Sequence, residues 1–131
     1  MSHIDSVKAI YAAFGQGDVP GILARLSPDI EWEYDWFGPS LKWFEPRRGR
    51  ADVVKFFEAL ADFEVARFEP TAFLAGDGMV AVPIQLEFVH KATRRRIRDF
   101  EAHLWTFGTD GLVSRFRHLV DSAQYAAVQA A

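Results

Sequence analysis

The 131-residue chain contains no cysteine. A disulfide framework, a thiolate zinc site and a cysteine nucleophile are therefore excluded. The absence fits a reducing compartment, and a cytoplasmic location is expected. No apolar run approaches the roughly 18 residues needed to cross a bilayer. Residues 1–20 show no apolar segment behind a basic start, so neither a membrane partner nor a secretory signal is expected. Positive charge is not in excess either. Against 18 Asp and Glu stand 15 Lys and Arg, a net charge of −3, and nothing marks the chain for bulk nucleic-acid binding. Its two basic stretches, Lys91–Arg98 and Arg47–Arg50, read as solvated charge; the first lies across a turn, where it protects a sheet edge from pairing. A phosphate-cradling glycine loop is missing, because Gly15-Gln16-Gly17 reads as a helix terminator. The four histidines, His3, His90, His103 and His118, lack the spacing of metal ligands. Neither a cofactor nor a metal is expected.

What the chain has in plenty is aromatic rings: 12 Phe, 4 Trp and 3 Tyr. Half of the residues are apolar and a quarter charged, the balance of an ordinary folded chain, and the length suits one domain over residues 1–131. Ile4, Val7, Ile10, Tyr11 and Phe14 recur at three- and four-residue steps, which predicts a helix over His3–Phe14. A short helix is expected over Val19–Leu26, with Pro20 in its first turn and Ser27-Pro28-Asp29 ending it. Alternation in Ile30–Asp35 predicts a half-buried strand with Ile30, Trp32 and Tyr34 inward and Glu31, Glu33 and Asp35 outward. A long loop over 36–50 leads to a helix over Arg50–Phe63. The second half reads as strands: Arg67–Leu74, interrupted by Pro70, then Met79–His90, Ile97–Phe107 and Leu112–Val120, with an Asp-Gly hairpin turn before the last. A terminal helix spans Ser122–Ala130. Helices followed by an antiparallel meander make an α+β fold.

Five segments, in order, resemble the SnoaL-like branch of the NTF2-like, or ketosteroid isomerase-like, superfamily. They are Ala12–Asp18, Leu26–Trp32, the helix start Arg48–Phe57, Phe100–Phe107 and Asp110–Asp121. The resemblance covers almost the whole chain. It implies a curved mixed or antiparallel sheet wrapped around a long helix, with helices packed on the concave side and a pocket at the open end of the cone. Many such proteins pair as homodimers through the sheet. Apolar residues on both faces of Met79–Phe88 point the same way, since they call for cover on the outer face as well.

The resemblance also implies chemistry. Its members include isomerases, polyketide cyclases, epoxide hydrolases and non-catalytic binding domains, so the fold alone assigns no activity. His103 matches a position that lines the cone and faces a reacting carbonyl, where an imidazole could donate to an enolate or shuttle a proton. Glu101 and Trp105 share its strand face, and Glu101 could orient it. Asp121 matches the catalytic carboxylate of polyketide cyclases and limonene epoxide hydrolases, a general base. It also stands where the last helix needs an N-cap, and alternation groups it with Arg115 and Arg117 rather than with Phe116 and His118. Trp32, Tyr34, Trp105 and Phe116 are expected as walls for a small apolar or aromatic ligand, with Glu101 and His118 beside them. Tyr34 stands where the steroid isomerase base would be and cannot act as one at neutral pH. Met79–His90 lacks the Arg-x-Asp pair of the hydrolases. Cyclase-like acid–base chemistry on a carbonyl-bearing or polycyclic substrate is therefore the leading expectation, with a non-catalytic binding or dimerisation module as the alternative.

Overall fold

Ser2 opens the first helix, α1 (His3–Gly15), in a computed structural model that describes residues 1–131. Its hydroxyl accepts from the Asp5 N–H at 3.0 Å, and the Asp5 carboxylate accepts from the Ser2 N–H at 3.2 Å, so two otherwise unpaired donors are satisfied together. Asp18 caps α2 (Val19–Leu23) by accepting from Gly21 at 3.0 Å. The chain continues through β1 (Leu26–Trp32), β2 (Arg47–Arg48), α3 (Arg50–Leu60), β3 (Phe63–Pro70), β4 (Leu74–Gly76), β5 (Met79–His90), β6 (Arg96–Phe107), β7 (Val113–Leu119) and α4 (Ser122–Ala130).

One open, curved sheet runs in the order β2-β1-β7-β6-β5-β3, with β4 on β5. Its pairs are antiparallel except β1 with β7, which is parallel. The expected α+β fold is thus present with a mixed sheet. Alternation decides the concave face. Val80, Val82, Ile84, Leu86 and Phe88 of β5 are buried there, as are Ile97, Glu101, His103, Trp105 and Phe107 of β6. A register shift opposite Thr106 and Phe107 lets Val113 and Phe116, three apart in β7, both face inward. The helices pack over this face, and 24 buried residues form one apolar cluster between them.

Four boundaries differ from expectation. Ser27, Pro28 and Asp29 lie inside β1 rather than ending α2. Proline is tolerated because the β1–β7 ladder is irregular between Leu26 and Glu31, so no ladder bond is lost. The helix α3 stops at Leu60, and Phe63 starts β3, where it pairs with His90. The strand expected over Arg67–Leu74 splits after Pro70 into β3 and β4; Thr71 still donates to the Pro83 carbonyl at 2.9 Å, but Pro83 has no N–H to return the bond. Within the long loop, β2 pairs with the end of β1, Trp32 against Arg47.

That loop is tied down from two sides. Buried Arg47 donates to the carbonyls of Lys42 at 3.1 Å and Glu45 at 3.2 Å. Gln129 of α4 donates to the Ser40 carbonyl at 3.0 Å and accepts from the Lys42 N–H at 2.9 Å. Leu41, Trp43 and Phe44 are buried as a result, while Phe37 is 100 % exposed.

Candidate functional site

The helices and the concave face enclose a narrow cavity of about 50 Å³. Water needs roughly 10–15 Å³ by the same measure, so a space of this size holds only a few solvent molecules. Its walls are almost wholly apolar and aromatic, with Trp32, Trp43, Phe44, Phe56, Trp105 and Phe116 among them. Tyr11, Phe14, Ile22, Phe57, Leu60 and Phe68 also border a second space of about 730 Å³ between α1, α2, α3 and β3. The deep cavity thus shares six of its walls with a wider, mostly apolar space.

Polar groups gather on one wall of the deep cavity. On β6, Glu101, His103 and Trp105 face inward together. Glu101 accepts from the Tyr125 hydroxyl at 3.2 Å and from His103 Nε2 at 3.4 Å. A carboxylate only accepts, so this assigns the His103 proton to Nε2. Nδ1 must then accept, and it lies 2.8 Å from the Tyr11 hydroxyl. Tyr11 Oη in turn accepts from the Trp105 indole at 3.1 Å. The chain therefore runs from Trp105 through Tyr11 and His103 to Glu101.

A second unit lies beside it. The Glu33 carboxylate accepts from His118 twice, from its backbone N–H at 2.8 Å and from Nδ1. With Nδ1 as the donor, Nε2 of a neutral His118 is left as a lone pair, and it makes no hydrogen bond within the protein. The rings of His103 and His118 meet edge to face with centroids 4.8 Å apart.

Burial shapes the proton affinities. It pushes His103 below its ordinary value, against the opposing pull of Glu101, so His103 is neutral. Burial alone would push Glu101 up. The His103 hydrogen bond, the nearby imidazoles and the Tyr125 hydroxyl outweigh it and hold Glu101 below its ordinary value. Burial pushes the Tyr11 and Tyr125 hydroxyls far up, so both remain protonated donors.

The structure brings Trp32, Glu101, His103, Trp105, Phe116 and His118 to this cavity. It does not bring Tyr34 or Asp121. Glu33 adopts a left-handed backbone, φ 59°, which ends β1 and breaks its alternation. Glu33 turns inward and is 1 % exposed, while Tyr34, expected as a wall, is 45 % exposed. Asp121 is exposed at the start of α4. Its carboxylate accepts from Gln124 at 2.9 Å, and its N–H donates to Asp99 at 2.9 Å. Asp121 does not reach His103, because β7 ends at Leu119 and the chain turns into the helix. The residues that sequence reasoning missed are Glu33, Tyr11 and Tyr125. Strict alternation had assigned Glu33 to the outer face, and no local pattern marks its reversal.

Glu101, His103 and His118 bring one donor atom each to within 4.8 Å of one another. Donors roughly 2.1 Å from one transition-metal ion lie about 3–4 Å apart. Glu101 and His103 already bond each other, so what this wall offers a ligand is hydrogen bonds.

The SnoaL-like domain model matches residues 7–116. The chain belongs to the SnoaL-like family. Solved structures agree on the fold. An NTF2-like protein from Burkholderia xenovorans LB400 is 27% identical, with 95% of this chain and 93% of that one covered and a TM-score of 0.82. An NTF2-like protein from Burkholderia thailandensis E264 is 19% identical over 98% of each chain, with a TM-score of 0.84. TerC, crystallised with polyporic acid, is 22% identical over 98% of each chain, with a TM-score of 0.76. No curated protein matches.

Proposed function

We propose that the protein binds a small, flat, largely apolar molecule carrying a carbonyl group. In this reading the polar wall moves a proton on that molecule without a cofactor, in the manner of an isomerase or polyketide cyclase. The observation that carries the reading is the Glu33–His118 pair. A buried carboxylate fixes the imidazole tautomer and leaves Nε2 as a base on an apolar cavity. His118 Nε2 takes a proton from the carbon beside the carbonyl. The C–H electron pair moves to form the enolate, and the Tyr11 hydroxyl turns from His103 Nδ1 to donate to its oxygen. The imidazolium then returns its proton to carbon or passes it to the oxygen. Trp32, Trp105 and Phe116 hold the flat body, and Glu101 positions His103. A protein of the same fold crystallised with polyporic acid supports a small-molecule ligand.

The test uses 1-indanone in D₂O, with loss of the signal of the protons beside its carbonyl followed by NMR. Wild-type protein should speed the exchange over buffer, and His118→Gln or Glu33→Gln should remove the acceleration. Binding of indanone with no acceleration by wild type would establish the second reading, a non-catalytic binding module. One observation favours that reading: both nitrogens of His103 are already hydrogen-bonded within the protein.

We also propose a homodimer across the convex face of the sheet, where Phe100 is 67 % exposed and Leu119 is also exposed. Sedimentation should show a dimer at micromolar concentration, and a monomer would count against it.

A further inference from the structure

Three of the four tryptophans place their indole N–H on an acceptor. Trp36 donates to the Pro39 carbonyl at 2.8 Å, Trp105 to the Tyr11 hydroxyl at 3.1 Å and Trp43 to Asp62 at 3.2 Å. Trp32 does not. It is 1 % exposed, and its Nε1 is buried without a partner. The two other buried orphans are the Nε atoms of Arg115 and Arg117, on the opposite face of the sheet.

An unpaired buried donor is costly, and native structures seldom keep one without a role. The shape of the site does not require it, since a phenylalanine would supply an aromatic wall with no donor to satisfy. Its surroundings are those of the ligand cavity. The Trp32 ring packs on Phe116 at 4.1 Å between centroids, on Phe56 at 5.2 Å, on Trp105 at 6.2 Å and on His118 at 6.4 Å, and all four line the same cavity. Apart from Tyr11, Tyr125, the two imidazoles, Glu101 and the indole N–H groups, the remaining cavity walls are apolar.

We propose that the Trp32 indole N–H is the anchor for the ligand's oxygen, so that the site selects a neutral acceptor such as a ketone or quinone oxygen over the hydrocarbon of the same shape. A site built to hydrogen-bond an oxygen discriminates against the analogue that lacks it, because the buried donor is then left bare. A carbonyl oxygen has two lone pairs, so Trp32 occupies one and leaves the other free. The proposal rests on the ligand-binding reading above but not on proton transfer.

The test compares 1-indanone with indane on ¹⁵N-tryptophan-labelled wild-type protein and on Trp32→Phe. The ketone should move the Trp32 indole N–H resonance, which is the one missing from the variant, while indane leaves it in place. The ratio of the indane Kd to the indanone Kd should fall about tenfold in Trp32→Phe, the worth of one hydrogen bond. If Trp32→Phe does not fold, ¹H–¹H contacts from the indole N–H to Phe116 and Phe56 identify the resonance, and the wild-type titration decides alone. An unchanged Kd ratio overturns the anchor while leaving the ligand reading standing. So does a stationary Trp32 resonance when other cavity signals shift. Failure of both compounds to bind overturns the ligand reading and the anchor with it.

Discussion

The two faces of the β5–β6–β7 sheet use alternate residues of the same strands and treat charge in opposite ways. On the convex face, Arg98 meets Glu87 at 3.0 Å, and Arg115 and Arg117 share Asp35 at 3.0 and 3.2 Å. These ion pairs sit in or near water, where attraction is weak and screened. On the concave face, Glu33 and Glu101 are buried without any Lys or Arg partner, and their partners are imidazoles and phenols. A buried carboxylate that loses its partners is left uncompensated in a medium that does not solvate it. The difference teaches where polar groups do more than hold the fold. The convex pairs are replaceable, whereas the concave ones need one another and surround the cavity.

The comparison breaks most visibly at Glu33. Glu33→Leu strands two His118 N–H donors, and chemical denaturation should show a loss of about 2–5 kcal/mol; Glu33→Gln, which keeps an acceptor, should lose clearly less. Phe116→Ala, which removes the ring between Trp32, Trp105 and His118, should cost about 3–4 kcal/mol by the same measurement.

Acid should separate the two faces more gently. The folded state holds His103 below its ordinary 6.5, so below that pH the unfolded chain binds a proton that the folded chain refuses. Stability is therefore full above about pH 6.5 and falls as pH drops toward the folded value. The groups facing His103 are Tyr11 from α1, Glu101 from β6 and His118 from β7. Glu101, also held low, adds a further loss in the same direction below its ordinary 4.5. Melting temperatures between pH 8 and pH 5 should decline, and His103→Gln should flatten the upper part of that decline. The smallest effects belong outside the cavity. Asp121→Ala, at a cap position with no side-chain bond to the helix backbone, should cost under about 0.5 kcal/mol and leave ligand affinity unchanged. Arg117→Ala should cost under about 1 kcal/mol.

Much of this architecture is legible in the residue pattern. Period-two alternation in Met79–His90 and Ile97–Phe107 is enough to place Glu101, His103 and Trp105 on one buried face, because a strand cannot turn one side chain without turning its neighbours. The same rule misleads at Trp32-Glu33-Tyr34. One residue in the left-handed region reverses the facing, and nothing local announces it, since the partner that holds Glu33 in place is His118, 85 positions away. Asp121 shows the converse: its surroundings in sequence match a cap and a catalytic carboxylate equally well, and only the end of β7 at Leu119 separates the two.

Composition and periodicity by themselves determined the α+β class, the longer elements within a few residues, the absence of thiol chemistry and the surplus of aromatic rings. Those are local properties, set by side-chain spacing and backbone preference. Tertiary structure alone decided that Glu33 faces His118, that Tyr11 and Tyr125 close the polar chain, and that the Trp32 donor is buried without a partner. Each of these is a contact between distant segments, and its cost or benefit arises only once water has been excluded from between them.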